Sequence, residues 1–546
     1  MSVTITAASA IIEESVWLVE INPDPEGTGD PRPPQLFMPS GTPLSALSTE
    51  GSTSATAPTV VFSDRGWTQE PGDTGTYVRY APRMLEPPAI EKSIPVYPGE
   101  SRRSAVDAGE LRLLNADGVL DDLTGDWSIA GRRTKITRAP HRRPTNAPRS
   151  TWVEVALLRA SGAFEGTDTV SVPMQSVAAA DLQLPANNSY AGTGGEEGGV
   201  DLVGVAKPRV FGFVRNVRPV IIDTTDFIFQ VHDGAINSIE EVRDGGEAYV
   251  FEKNENTYAS LLTSNPGTGK YVTYLGGGFL KSHKVPVFLT MDVEGSTDGG
   301  YASDAQLVAA QILRVCGGVS GATSTSFSQW PSGEAGVIIR DGNTEDAMNK
   351  LATGLGAVWW GANLLGEYTG GAVVAPEDQT ESYFIQPFML VDPPEEIAGA
   401  TPPWWRVRVA YQELEVKQEG GDFVTDAPAD AQEYYSLKRR LAIASDVAVR
   451  TRYPLAVDGP EFPGVLESKT EASTLALSLL AIYKEPRRTW SVRIGPRAGG
   501  VNWWDIPIGS VVKLQWPSIR SLAEGKKFLV RAISARGDYA ELELWG

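Results

Sequence analysis

Residues 405–416 read "WRVRVAYQELEV". Trp405, Val407, Val409 and Tyr411 alternate with Arg406, Arg408 and Ala410. Successive side chains of a strand point to opposite faces, so this period of two predicts a strand with one dry face and one wet face. A helix would repeat its apolar residues every three or four positions, which this stretch does not do. The same reading extends in both directions. "PRVFGFVRNVRPVIID" (208–223) and "DFIFQVHDGAINSIEEV" (226–242) read as strand pairs. Asp233-Gly234 and Asp244-Gly245 read as hairpin-type turns, because glycine tolerates positive φ. At the far end, "GSVVKLQWP", "KKFLVRAISARG" and "YAELELWG" read as three strands punctuated by Pro517, Gly525, Gly537 and Asp538. The expectation is a mainly β protein with a few helices, of the β/α+β multidomain kind.

Three helices are predicted. "YASDAQLVAAQILRVCGG" starts at a Ser303 cap, carries Val308, Ile312 and Val315 on one face, and stops at Gly317. "GNTEDAMNKLATGLG" is capped by Asn343 or Thr344, with Ala347, Leu351 and Leu355 inward. "ESKTEASTLALSLLAIYK" pairs Ser468 with Glu471 in a capping box, ahead of Ala472, Leu475, Leu479 and Ile482.

The chain has 546 residues, whereas single domains hold about 100–200. Small polar stretches mark its joints: Ser40–Ala57 as a long loop, and 185–200 ("PANNSYAGTGGEEGGV") as a domain boundary. "APEDQTES" and "GGDFVTDAPADAQ" are weaker boundaries. Four segments result: 1–200, β with long loops; 201–325, α+β; 326–425, β-rich with one helix; and 426–546, β with one helix.

Hydrophobic residues make up 41% of the chain, enough to build cores, and the formal charge is −20. Phosphate contacts need Lys and Arg, so such a chain is not a general nucleic-acid binder. Its one cysteine, Cys316, excludes an intrachain disulfide and a cysteine-based zinc site. The N-terminus has no basic start, and Glu13 and Glu14 break its apolar run, so no signal peptide is predicted. No stretch reaches the roughly 18 apolar residues of a membrane helix. Synthesis in a reducing cytoplasm without a membrane anchor is the expectation.

"LLNADGVLDDLTGDWSIAGRR" (113–133) gathers Asn115, Asp117, Asp121 and Asp122 around Gly118, as a calcium loop would. Placing Gly118 at the EF-hand glycine puts Leu113 and Thr124 where carboxylates are required. A strand followed by an Asn-Ala-Asp-Gly reversal remains. "NPGTGKY" (265–271) has Ser264 where a phosphate loop needs glycine, and Tyr271 where it needs Ser or Thr. His141, His232 and His283 have no metal-ligand spacing, and Cys316 lies on an apolar helix face. No carboxylate pair is singled out for glycosidase chemistry. No catalytic, cofactor or metal residue is therefore assigned, and no enzyme activity is expected.

Interface candidates are clearer. "GRRTKITRAPHRRPTNAPR" (131–149) is basic in an acidic chain but lacks the aromatics of a nucleic-acid groove. It reads as either a solvated face or a charged seam against an acidic neighbouring subunit, with Arg132, Arg133, Arg142 and Arg143 as the seam residues. Of the pairs Trp359-Trp360, Trp404-Trp405 and Trp503-Trp504, one member each belongs to a core and the other to a partner surface. Trp360, Trp404 and Trp503 are taken as interface members.

Taken in order, these blocks resemble a family. "GELRLLNADGVLDDLTGDWSIAGRRTKI", "PRVFGFVRNVRPVIID" with "FIFQVHDGAINSIEEVRDGG", "GGYASDAQLVAAQIL" and "IGSVVKLQWPSIRSLAEGKKFLVRAISARGDYAELELWG" resemble the tail-tip, or baseplate hub, proteins of long-tailed bacteriophages. The resemblance covers Gly109–Glu247, Gly299–Cys316 and Thr470–Gly546. It implies tail-tube-like β-barrel or sandwich domains, with the tube-like part in 1–200, plus a small C-terminal β domain. It implies a homotrimer in which two tube-like domains per chain make a pseudo-sixfold ring. The implied partners are the tail tube or distal tail protein, the tape-measure protein, and a fibre or spike protein, with DNA only in transit. The implied location is the virion, after synthesis in the host bacterial cytoplasm. No cofactor is implied, since the cysteine-ligated clusters and peptidase domains of some relatives have no counterpart here. A distal tail ring with sixfold symmetry, a receptor- or carbohydrate-binding tail protein, and a cell-wall hydrolase are the alternatives. A net charge of −20 suits a tube wall that repels passing DNA.

Overall fold

The computed structural model describes residues 15–22, 60–68, 79–121, 129–140, 149–176, 185–495 and 502–546. Strands dominate, as the alternation predicts, and six α-helices are interspersed among them in the described residues. The sheets are open-ended among the described residues, so the expected barrel closure is not found there.

A ten-stranded sheet holds the N-terminal region. At its centre Ser15–Asn22 pairs with Arg133–Pro140, which pairs in turn with Val153–Ala160. The strand Glu110–Leu114 shows the alternation physically, since Leu111 and Leu113 are fully buried and their neighbours are exposed. It ends in the Asn-Ala-Asp-Gly reversal, where Gly118 adopts φ 70°.

Residues 209–296, with Gly336–Ile339, form a two-sheet sandwich. One sheet runs Glu247–Ala248, Ile236–Asp244, Leu289–Ser296, Arg209–Val217, Gly336–Ile339. The other runs Val220–Asp223, Ile228–Gln230, Phe279–Ser282, Lys270–Tyr274, Val250–Asn254. Val214, Met291 and Val293 of the first sheet meet Phe229, Tyr271 and Leu280 of the second. This corrects the expected pairing. Arg209–Val217 and Val220–Asp223 are consecutive, yet they lie in different sheets. So do Ile228–Gln230 and Ile236–Asp244 on either side of Asp233-Gly234. The Asp244-Gly245 turn does join a hairpin, with Asp244 opposite Glu247. Tyr190, within residues 185–200, and the nearby Leu202 pack with Ile222 and Phe279 of the second sheet.

The first sheet is drawn tightly together at Gly212, which faces Gly336 across the ladder. Gly212 has φ 68°, and a Cβ there would stand 1.9 Å from the Ala335 carbonyl oxygen. Gly212→Ala is expected to destabilise the protein by more than about 1 kcal/mol, because neither the backbone angle nor the space admits a side chain. Urea unfolding measures it, and an unchanged midpoint would refute the account.

The helices Ala305–Gly317, Thr344–Leu355 and Lys469–Tyr483 share one core with the strand Trp404–Tyr411. Asn343 and Ser468 cap their helices as predicted. The first helix is capped by Asp304 rather than Ser303. Val407 and Val409 are buried, as the alternation requires. The pattern slips at the strand's start, where the pairing with Val457–Leu466 shifts register between Trp404 and Arg406. There Trp404 turns inward onto Tyr483 at 4.2 Å between ring centroids. Trp405 instead sits between the guanidinium groups of Arg406 and Arg450.

The C-terminal strands Val511–Leu514, Lys526–Arg536 and Tyr539–Trp545 are successive antiparallel neighbours, as read from the sequence. Their eight-stranded sheet also takes in Ile90–Ser93 and Ala105–Ala108, with Ile90–Ser93 pairing directly with Lys526–Arg536. The N-terminal and C-terminal regions are thus joined by main-chain hydrogen bonds.

Candidate functional site

A buried constellation of charge forms a structural joint. Asp292 lies in the middle of the first sandwich sheet with its side chain 3% exposed. It accepts hydrogen bonds from Arg243, from Arg215 Nη1 at 3.2 Å, and from the Asn216 backbone N–H at 2.9 Å. Arg215 also donates through Nε to Glu467 at 2.6 Å, beyond the strand Val457–Leu466. Asn216 donates to the Val416 carbonyl at 2.6 Å, and Arg243 lies over the Tyr435 ring. Burial pushes the Glu467 carboxyl upward, against the pull of Arg215. These contacts bind the sandwich to the segment following Trp404–Tyr411. Each ion is compensated, as burial demands.

Beside the joint lies a cavity of about 340 Å³, lined by Val214, Arg340, Lys350, Glu413, Glu415 and Lys438 among others. Its cations are spent on protein atoms. Lys350 Nζ donates to the Ile338 carbonyl at 2.7 Å, Lys438 Nζ to the Glu415 carbonyl at 2.6 Å, and Arg340 Nε to Glu415 at 3.1 Å. Burial lowers the Lys350 pKa.

The Asn-Ala-Asp-Gly turn uses its acids internally. Asn115 Nδ2 donates to Asp121 at 2.7 Å, and Asn115 Oδ1 accepts from Leu120 N–H at 2.7 Å. Arg83 grips Asp117 through two hydrogen bonds of 2.8 and 2.6 Å and holds its carboxyl down at about 2. Asp122 lies outside the described residues.

His232 and Cys316 are both interior. The Val210 N–H donates to His232 Nδ1 at 2.8 Å, and burial depresses the imidazole pKa to about 4. Burial raises the Cys316 thiol, with Arg209 opposing. Neither is poised as a nucleophile or base. The His232 depression has a stability consequence. Unfolded, the ring takes a proton near 6.5, and folded only near 4. Its contribution is therefore complete above pH 6.5 and is lost as pH falls to about 4. The shift corresponds to something on the order of 3 kcal/mol. His232→Asn, which retains an acceptor for Val210, should flatten the stability profile in that window. A profile identical to the parent's would discount the histidine.

The interface candidates divide. Arg133 is exposed and Arg132 half-buried, while Arg142 and Arg143 lie outside the described residues. Within the basic run, Arg138 is committed inside the chain, 2.7 Å from Asp538 and over the Trp17 and Trp504 rings. Trp17 Nε1 donates to the same Asp538 at 3.1 Å. Trp360 and Trp503 are interior, at 0% and 2% exposure. Their indole N–H groups donate to Asn349 at 3.0 Å and to the Gly537 carbonyl at 2.9 Å. Their large apolar rings are packed in the chain's own core. Trp404 is half-buried on Tyr483. In these last two pairs Trp405 and Trp504 are also only half-buried, and both stack on arginine.

No helix among the described residues is long and apolar enough to cross a membrane. No known family pattern matches the chain, and no curated protein does. Solved structures with a similar course of the chain include a tail protein from Neisseria meningitidis, at 9% identity, covering 88% of this chain and 96% of that one, with a TM-score of 0.38. The 43 kDa tail protein of prophage MuSo2 from Shewanella oneidensis has 9% identity, coverage of 88% and 97%, and a TM-score of 0.33. The prophage tail protein gp18 from Listeria monocytogenes has 7% identity, coverage of 86% and 91%, and a TM-score of 0.33.

Proposed function

We propose that this chain is a structural protein of a bacteriophage tail, acting as a homotrimeric hub at the distal tip. The observation that carries this reading is the ordered set of sequence blocks resembling tail-tip proteins. Its support in the fold is that these blocks contribute interlocked β units. Glu110–Leu114 leads into the Asn-Ala-Asp-Gly turn, the two sandwich sheets follow, and then come the helix Ala305–Gly317 and the C-terminal sheet. Charge is spent on joints such as Asp292 rather than on an open reactive cleft, which suits a part whose task is shape.

In this role the hub joins the tail tube or distal tail protein and the tape-measure protein to a fibre or spike protein. DNA passes through on exit. The protein is made in the bacterial cytoplasm and ends in the virion. Antibodies to the chain, applied to purified particles, should label the distal tail tip, with three copies per particle by quantitative mass spectrometry. Label elsewhere, or absence from particles, overturns the reading. Six copies would indicate a distal tail ring instead. Lysis on a peptidoglycan zymogram would indicate a hydrolase.

A further inference from the structure

We infer that copies of this chain join head to tail through the two opposite edges of the second sandwich sheet. This deepens the hub reading by naming the contact, and it rests on that reading only for its biological setting. The sheet begins at Val220–Asp223 and ends at Val250–Asn254, so its edges stand about 19 Å apart at ordinary strand spacing.

Each edge carries apolar surface. At the far edge, Val250 and Phe251 are 62% and 51% exposed, and every residue of Val250–Asn254 is exposed. The strand is paired on one side only, with Lys270–Tyr274. Val287 is also exposed, and its N–H donates to Asp244, which accepts as well from the hydroxyl of Tyr249, the residue preceding Val250. An open edge with apolar side chains is a template for another strand. At the near edge, the turn Gly195–Glu197 packs on Val220–Asp223. The adjoining segment exposes Val200, at 83%, and Val203, and the strand itself exposes Ile221.

Charge decides the occupant. Glu196 and Asp201 at the near edge are exposed and make no ion pair among the described residues. The far edge carries Lys253 and, on the neighbouring strand, Lys270, each about half exposed and held by surface pairs to Glu255 and Glu252. Such pairs are worth little and exchange partners easily. Two far edges meeting antiparallel about the strand's centre would set Glu252 against Glu252, which disfavours a two-fold contact. The near edge of a second copy offers both the apolar side chains and the unpaired acids. A contact between unlike surfaces repeats from copy to copy and closes into a ring when the rotation permits.

The test uses the full chain in sedimentation velocity with Phe251→Glu and Val200→Glu, both at exposed positions. The unaltered chain should form a closed oligomer at micromolar concentration. Each variant alone should run as a monomer, with self-association weakened by about thirtyfold or more, as for loss of an interface anchor. Mixed in equal amounts, they should form dimers that grow no further, because each retains one intact edge. Val287→Lys replaces Phe251→Glu should that variant melt early. A monomeric parent, variants that assemble like the parent, or a mixture that stays monomeric overturns the inference. Assembly untouched by either variant would leave a trimeric hub standing on some other contact, whereas a tip lacking the chain would remove the hub reading by itself.

Discussion

Replacing Asp292 with alanine is expected to cost about 3–5 kcal/mol, enough to unfold the sandwich near physiological temperature. The substitution removes the shared acceptor of Arg215 and Arg243. Arg243 has a side chain only 4% exposed, so its guanidinium would be left charged and dry with Glu241 as its remaining carboxylate. The backbone N–H of Asn216 would lose its acceptor as well. Asn216 sits at φ 52°, a backbone state that a non-glycine residue holds only when its surroundings fix it. The loss should therefore exceed that of a surface ion pair such as Arg493–Asp392, whose members are both about half exposed. Urea unfolding followed by tryptophan fluorescence measures it. A change below about 1 kcal/mol would show that the joint is dispensable.

Trp360→Ala should be comparably severe, at about 3–5 kcal/mol. The indole is fully buried among the helices Ala305–Gly317 and Thr344–Leu355, and Asn349 would lose its hydrogen-bond donor. The expected result is a lower melting temperature for the isolated chain, before any partner is present. Were Trp360 a docking residue, as its pairing with Trp359 first suggests, the chain would melt normally and fail only in assembly. The two outcomes are separated by one thermal scan.

That contrast shows what sequence carries. Period-two alternation is local, so Val407 and Val409, or Leu111 and Leu113, declare their faces within a few residues. Helix caps are equally local, and Asn343 and Ser468 were legible for that reason. Short helices such as Tyr258–Thr263 and Val447–Arg452 hold less than two turns and leave no periodic trace. Sheet membership is not local either. Nothing in "VRNVRPVIID" tells that the chain leaves one sheet at Val217 and enters another at Val220. The joint was hidden by distance: Arg215 and Glu467 lie 252 residues apart. At the tryptophan pairs, a two-residue alternation assumes a regular strand, which holds for only some of them. Register slips beside Trp404, and Trp503 lies in a helical turn.

The pairing of Ile90–Ser93 with Lys526–Arg536 bears on how the protein is born. Ser534 meets Glu91 across 443 residues of chain. While the ribosome adds those residues, the early strand waits without its final neighbour, and such late, non-local pairing is slow and exposed to aggregation. A message cut short before Lys526 would yield a product whose first strands never find their place. The early strand therefore takes its place only once Lys526–Arg536 has been made.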